Sequence, residues 1–157
     1  MSEIHIKKVG FWRYQLNTSM KLNRSIDEVF DFFSSINNLN LITPPVLKFR
    51  ILGNENIVVK NGTIFKYRLF LHGFPFIWRS KINQWNPPNE FVDEQISGPF
   101  LLWSHLHKFS EVNGYTLIED VVDYKVPGGF FINELFVKRD LINIFTFRHE
   151  KLEKIFS

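Results

Sequence analysis

Between Gly98 and Phe109 the chain reads Gly98-Pro99-Phe100-Leu101-Leu102-Trp103-Ser104-His105-Leu106-His107-Lys108-Phe109. Side chains along a strand alternate between the two faces of a sheet. Leu101, Trp103, His105, His107 and Phe109 therefore share one face, while Ser104, Lys108 and Ser110 take the other. A strand of this kind needs a sheet with one wet face. Its second face sets two imidazoles among large rings, the lining of a concave, mostly apolar pocket with a few polar anchors.

The rest of the composition suits such a pocket. In 157 residues there are 18 Phe, 4 Trp and 4 Tyr, and rigid rings can wall a cavity that aliphatic side chains would fill by collapsing. A Phe-rich solid core is the plainer reading of the same numbers. No cysteine is present, which removes disulfides, thiolate nucleophiles and thiolate metal sites and suits a reducing cytoplasm. The first residues carry no apolar core of signal-peptide length, and no run approaches a membrane span, so a cytoplasmic protein without stable membrane insertion is expected. A formal charge of +3 with scattered basic residues gives no reason to expect a nucleic-acid partner.

Along the chain, residues 1–10 are expected to be a loosely ordered N-terminus. Tyr14, Leu16, Thr18, Met20 and Leu22 then alternate against polar neighbours, a half-buried first strand. Ser25-Ile26-Asp27-Glu28 is a capping box opening a helix with Ile26, Val29, Phe30, Phe33 and Ile36 on one stripe. A second short helical piece, Leu39-Asn40-Leu41-Ile42, stops at Pro44 and Pro45. From Leu47 to Val126, strand-like runs alternate with turn residues at Asn61-Gly62, His72-Gly73, Pro87-Pro88-Asn89, Ser97-Gly98-Pro99 and Asn113-Gly114, an antiparallel meander. Seven strands are expected in all. Beyond Pro127-Gly128-Gly129 the spacing becomes helical to the C-terminus, with Phe131, Leu135, Ile142, Phe145, Leu152 and Phe156 on one stripe. Phe130, Val137, Leu141 and Ile144 widen that face and imply burial on two sides. The order predicts one α+β domain over 1–157, with a twisted sheet curled around the last helix and room for a cavity between them.

Asn113-Gly114 is a strong hairpin signal. A two-residue loop there sets His107 opposite Asp120, whereas a four-residue loop from Glu111 sets His105 there. In both registers Thr116, Ile118, Asp120, Val122 and Tyr124 share the histidine face. A carboxylate beside an imidazole would raise the histidine pKa and fix its tautomer. The cluster reads as a polar anchor for a ligand, as a self-satisfied buried network, or as a three-ligand metal site that no zinc-type spacing supports. General acid–base catalysis by His105, His107 and Asp120 fits the same atoms. Trp78 faces inward with Ser80, Ile82 and Gln84; on the next strand either Phe91, Asp93 and Gln95 or Val92, Glu94 and Ile96 do so. His5, His72 and His149 stand singly and are expected at the surface.

The order of elements, together with Ile26-Asp27-Glu28-Val29-Phe30-Asp31-Phe32, Leu39-Asn40-Leu41-Ile42-Thr43-Pro44, Phe91-Val92-Asp93-Glu94-Gln95 and Trp103-Ser104-His105-Leu106-His107-Lys108-Phe109, resembles the START-like (SRPBCC) ligand-binding superfamily. The resemblance runs from Tyr14 to Phe156 and is nearest to the prokaryotic polyketide cyclase/dehydrase-like members. It implies a helix-grip fold, a seven-stranded antiparallel sheet around a long C-terminal helix, with an internal cavity for lipids, polyketides or other apolar molecules. It carries no particular reaction.

The expected function is binding of a small hydrophobic ligand, with Trp78, Trp103, His105, His107, Phe109, Asp120, Tyr124, Leu141 and Phe145 as pocket residues, no cofactor and no metal. Loops at His72-Gly73 and Pro127-Gly128-Gly129 would gate the cavity. The alternatives are a cyclase-, dehydrase- or hydrolase-type enzyme using a His/Asp pair, and an interaction module. A monomer or homodimer is expected.

Overall fold

The computed structural model describes residues 3–157. Strands β1 (Ile4–Gly10) and β2 (Arg13–Leu22) form a hairpin. Helix α1 (Ile26–Phe33) follows, then single 3-10 turns at Ile36–Asn40 and Pro45–Leu47. The meander consists of β3 (Arg50–Leu52), β4 (Ile64–Leu71), β5 (Phe74–Asn86), β6 (Glu90–Ser97), β7 (Leu102–Val112) and β8 (Tyr115–Lys125). At the C-terminal end, α2 (Gly129–Ile132) runs through a π-helical turn (Asn133–Val137) into α3 (Lys138–Ile155). All the strands pair antiparallel in one sheet, ordered β1-β2-β8-β7-β6-β5-β4-β3.

Among the described residues the sheet has eight strands where seven are expected from the sequence. The extra one is β1, in the segment expected to be loose; Met1 and Ser2 lie outside the described residues. Its strand pattern is faint because only Ile4 and Ile6 turn toward the sheet's packed side, while the other positions are exposed, as suits an edge strand. The turn to β2 also lacks a glycine, with Trp12 itself taking positive φ.

Helix α1 begins where the capping box predicts: Ser25 Oγ accepts from the Glu28 amide at 3.3 Å. Its buried side sets Phe30 against Trp85, Phe91 and Phe109 at ring separations of 5.1, 5.9 and 5.5 Å. Burial of a side chain of this size contributes about 1.5–3 kcal/mol. One end of the sheet is thereby closed by packed rings, and any space must open toward α3.

The C-terminal helix departs from the expected stripe. Phe131, Leu135 and Ile142 are exposed, and so is Phe130, which was expected to be buried; Leu141, Phe145, His149, Leu152 and Phe156 form the buried row. For Phe130, Phe131 and Leu135 the cause is the π-turn, which admits an extra residue and rotates what precedes it relative to α3; Ile142, beyond the turn, sits one position past the buried Leu141 and so at the edge of that row. Asn133 is turned inward there and accepts a hydrogen bond from the Tyr124 hydroxyl at 2.8 Å. His149 is likewise buried rather than at the surface, because it follows Phe145 by four positions on that row. His5 and His72 are exposed.

Candidate functional site

Residues Asn113 and Gly114 both adopt positive φ between the paired Val112 and Tyr115, so the hairpin loop has two residues. His107 accordingly lies across the ladder from Asp120, and His105 from Val122. On the other side of β7, His105 faces Asp93 and His107 faces Phe91. This settles the open choice on β6: Phe91 and Asp93 belong to the histidine face.

Both imidazoles converge on one carboxylate oxygen. His105 Nε2 is 2.7 Å from Asp120 Oδ1, and His107 Nδ1 is 3.2 Å from the same atom. All three residues are buried, and the rings stack 3.7 Å apart. Burial opposes ionisation of Asp120, but His105 and His107 beside it outweigh that and hold the carboxyl well below its usual range. The expectation of a raised histidine pKa is not met at His105: burial and the neighbouring His107 exceed the pull of Asp120 and bring it down to about 3. His105 is therefore neutral at pH 7. A carboxylate can only accept, so Nε2 carries the proton and Nδ1 is left as an acceptor.

Between the sheet and α3 lies a cavity of about 140 Å³. Trp78, Trp103, His105, Leu141 and Phe145 are among its walls. His107 borders a smaller adjoining void with Phe33, Phe65 and Phe91. Asp120, Phe109 and Tyr124 are in neither wall. Asp120 stands behind the two imidazoles, Phe109 is fully packed against Phe30, Phe33 and Phe91, and Tyr124 is tied to Asn133. The wall residues that the sequence reading does not assign to the pocket include Tyr67, Phe100 and Arg148.

Phe100 is held in place by Gln95, whose amide donates to the Phe100 carbonyl at 2.8 Å and accepts from its N–H at 3.2 Å. Gly98 makes room for that clamp, since a Cβ there would sit 2.5 Å from Gln95 Oε1. Arg148 borders both voids, its guanidinium 4.9 Å from the Phe145 ring. Its signal is the spacing Phe145, Arg148, Leu152, which puts the half-buried Arg148 at the edge of the buried row of α3.

An outer basin of about 340 Å³ shares Leu47, Leu71, Asp140 and Ile144 with the inner cavity and is bordered by His72 and Gly73. His72 Nε2 meets Asp140 Oδ2 at 2.7 Å, joining the β4–β5 turn to α3 across this mouth. The Pro127-Gly128-Gly129 loop borders neither space.

His105, His107 and Asp120 offer ligand atoms within 4.8 Å of one another, a grouping that could hold a metal ion. The His105–Asp120 hydrogen bond gives both residues a partner without one. No helix of the described residues is long and apolar enough to cross a membrane.

No protein-family model and no curated protein sequence matches the chain. Solved structures do. The di-domain ARO/CYC StfQ from the steffimycin biosynthetic pathway superposes with a TM-score of 0.71 at 13% identity, over 92% of this chain and 50% of that one. Ginseng major latex-like protein 151 from Panax ginseng gives 0.64 at 12% identity over 92% and 98%. Protein Ms6760 from Mycobacterium smegmatis gives 0.66 at 11% over 90% and 89%. With an antiparallel sheet curled on a long C-terminal helix and these neighbours, the chain has the START-like (SRPBCC) helix-grip fold.

Proposed function

We propose that this protein binds a small hydrophobic molecule in the cavity between the sheet and α3, as a single domain spanning 1–157. The observation that carries the reading is the cavity itself: about 140 Å³ with Trp78, Phe100, Trp103, Leu141 and Phe145 among its apolar walls and Asp93, His105, Asp140 and Arg148 as its charged or titratable points. An apolar void of about 150 Å³ accommodates a molecule the size of benzene. A substituted ring or short chain fits the inner cavity, and a longer lipid or polyketide-like body would extend into the outer basin at His72 and Gly73. The ARO/CYC and latex-like neighbours make a small-molecule cargo a natural use of this fold.

Binding is favoured over catalysis by the chemistry of His105. An imidazole whose pKa has fallen to about 3 is a weak base, so it serves as a hydrogen-bond acceptor through Nδ1 better than as a proton abstractor. Asp120 fixes its tautomer. A cysteine-free chain of this kind suits the reducing cytoplasm, acting as a monomer or homodimer.

The test is native mass spectrometry of protein purified without detergent, followed by displacement of a neutral apolar dye such as Nile red. A bound apolar molecule, or saturable one-to-one dye uptake that a Leu141→Trp block suppresses, is expected. A protein that neither carries nor takes up any apolar compound overturns the reading.

A further inference from the structure

Arg148 is the feature that simple hydrophobic binding does not use. It projects from α3 to the junction of the two inner voids, with Nε and Nη1 buried and without hydrogen-bond partners. Phe145 supports one face of the guanidinium. In the same cavity wall Tyr67 stacks on Trp78 and meets Phe49 at a tilt. Two carboxylates lie in the neighbourhood, yet Arg148 forms no ion pair among the described residues. Asp120 is taken by His105 and His107. Asp93, whose Oδ1 is also buried without a partner, is driven toward its neutral form by burial, against the opposing pull of Ser80, His107 and Arg148.

Buried donors are nearly always paired, and a guanidinium stays protonated at any ordinary pH. An inward arginine with unmet N–H groups beside an apolar void is a site that lacks its acceptor.

Resting on the cavity reading, we infer that the natural ligand is an amphipathic carboxylic acid, its carboxylate held by Arg148 and its apolar body lying between Trp78, Trp103 and Phe145. Asp93 stands beside that carboxylate position on the sheet side. In its protonated form it donates a second hydrogen bond to the ligand; in its ionised form it would repel it. A cationic amine would instead meet Arg148 as a like charge.

Three probes with one carbon skeleton separate the possibilities: 3-phenylpropionate, 3-phenylpropanamide and 3-phenylpropylamine, titrated by calorimetry into the full-length protein. Charge-assisted hydrogen bonds exceed neutral ones enough that the carboxylate is expected to bind at least about tenfold tighter than the amide, with the amine weakest. Arg148→Met, which keeps the apolar stem, should abolish that order while leaving amide affinity within about threefold, and Arg148→Lys should retain part of it. The wild-type comparison stands even where a variant folds poorly. Equal affinity for carboxylate and amide, or a preference that survives in Arg148→Met, overturns the anion inference and leaves the cavity reading intact. Failure of all three probes to bind also overturns the anion inference, while the cavity reading is then decided by bound-molecule mass spectrometry and dye uptake.

Discussion

His105 reaches Asp120 diagonally: its Nε2 is 2.7 Å from Asp120 Oδ1 although its partner across the ladder is Val122. The residue directly opposite Asp120, His107, stands farther from the same oxygen, at 3.2 Å. One carboxylate thus holds His105 by a hydrogen bond and lies against His107, and of the two imidazoles only His105 meets the 140 Å³ cavity.

This cluster makes stability depend on acidity. His105 takes up a proton near pH 6.5 when unfolded and only near 3 when folded. Between those values the unfolded state holds more protons, so stability falls as pH is lowered from about 6.5, by up to about 1.4 kcal/mol per pH unit. Asp120, whose folded pKa is depressed, adds to the loss only below about pH 4. Thermal melts from pH 7 to 4.5 should show a falling Tm in the wild type and a flatter profile in His105→Gln. Parallel profiles would contradict the burial of a neutral His105.

Removing Asp120 is costlier than removing either histidine. Asp120→Ala leaves the buried His105 Nε2–H without its acceptor and removes the carboxylate that lies against His107, and is expected to destabilise by about 1–3 kcal/mol, as for an unsatisfied buried donor. Urea unfolding measures this directly; a loss below about 1 kcal/mol would mean that the cluster is not organised around Asp120.

Phe109 and Phe100 should separate stability from binding. Phe109 is packed solidly away from the cavity, so Phe109→Leu is expected to lower stability by about 1–2 kcal/mol with no change in dye affinity. Gly98→Ala pushes on Gln95, releases Phe100 from its clamp and should weaken dye binding several-fold with a smaller stability loss. The reverse pattern in urea unfolding and Nile red titration would mean that the cavity wall is misplaced.

The His72–Asp140 contact at the mouth is half exposed and should contribute less than about 1 kcal/mol to stability. Its expected effect is kinetic. In Asp140→Asn, stopped-flow dye exchange should become faster in both directions with Kd nearly unchanged; unaltered rates would place the access route elsewhere.

The shared face of Trp103, His105, His107 and Phe109 is legible in the sequence because strand alternation is strict there, but the register opposite Asp120 is not, since Asn113-Gly114 is compatible with a two- or a four-residue loop and only the pairing of Val112 with Tyr115 decides between them. The capping box at Ser25 located α1 for the same kind of local reason. The edge strand β1 escaped notice because a strand with few buried positions carries little hydrophobic signal. The phase of the C-terminal helix before Lys138 is not legible, since nothing in Asn133-Glu134-Leu135-Phe136-Val137 announces a π-turn, and within α3 the expected stripe takes Ile142 where the buried row takes its neighbour Leu141. Arg148, between Phe147 and His149 in a charged stretch, resembles a solvated position until the row through Phe145 and Leu152 is followed.

The four tryptophans offer the most direct measurement. Trp78 and Trp103 border the inner cavity, while Trp12 and Trp85 do not. In nitrogen-15 NMR spectra, titration with the uncharged 3-phenylpropanol should shift the indole N–H signals of Trp78 and Trp103 saturably and leave those of Trp12 and Trp85 in place. Shifts confined to Trp12 or Trp85, or no shift at any indole, would contradict a ligand site between the sheet and α3.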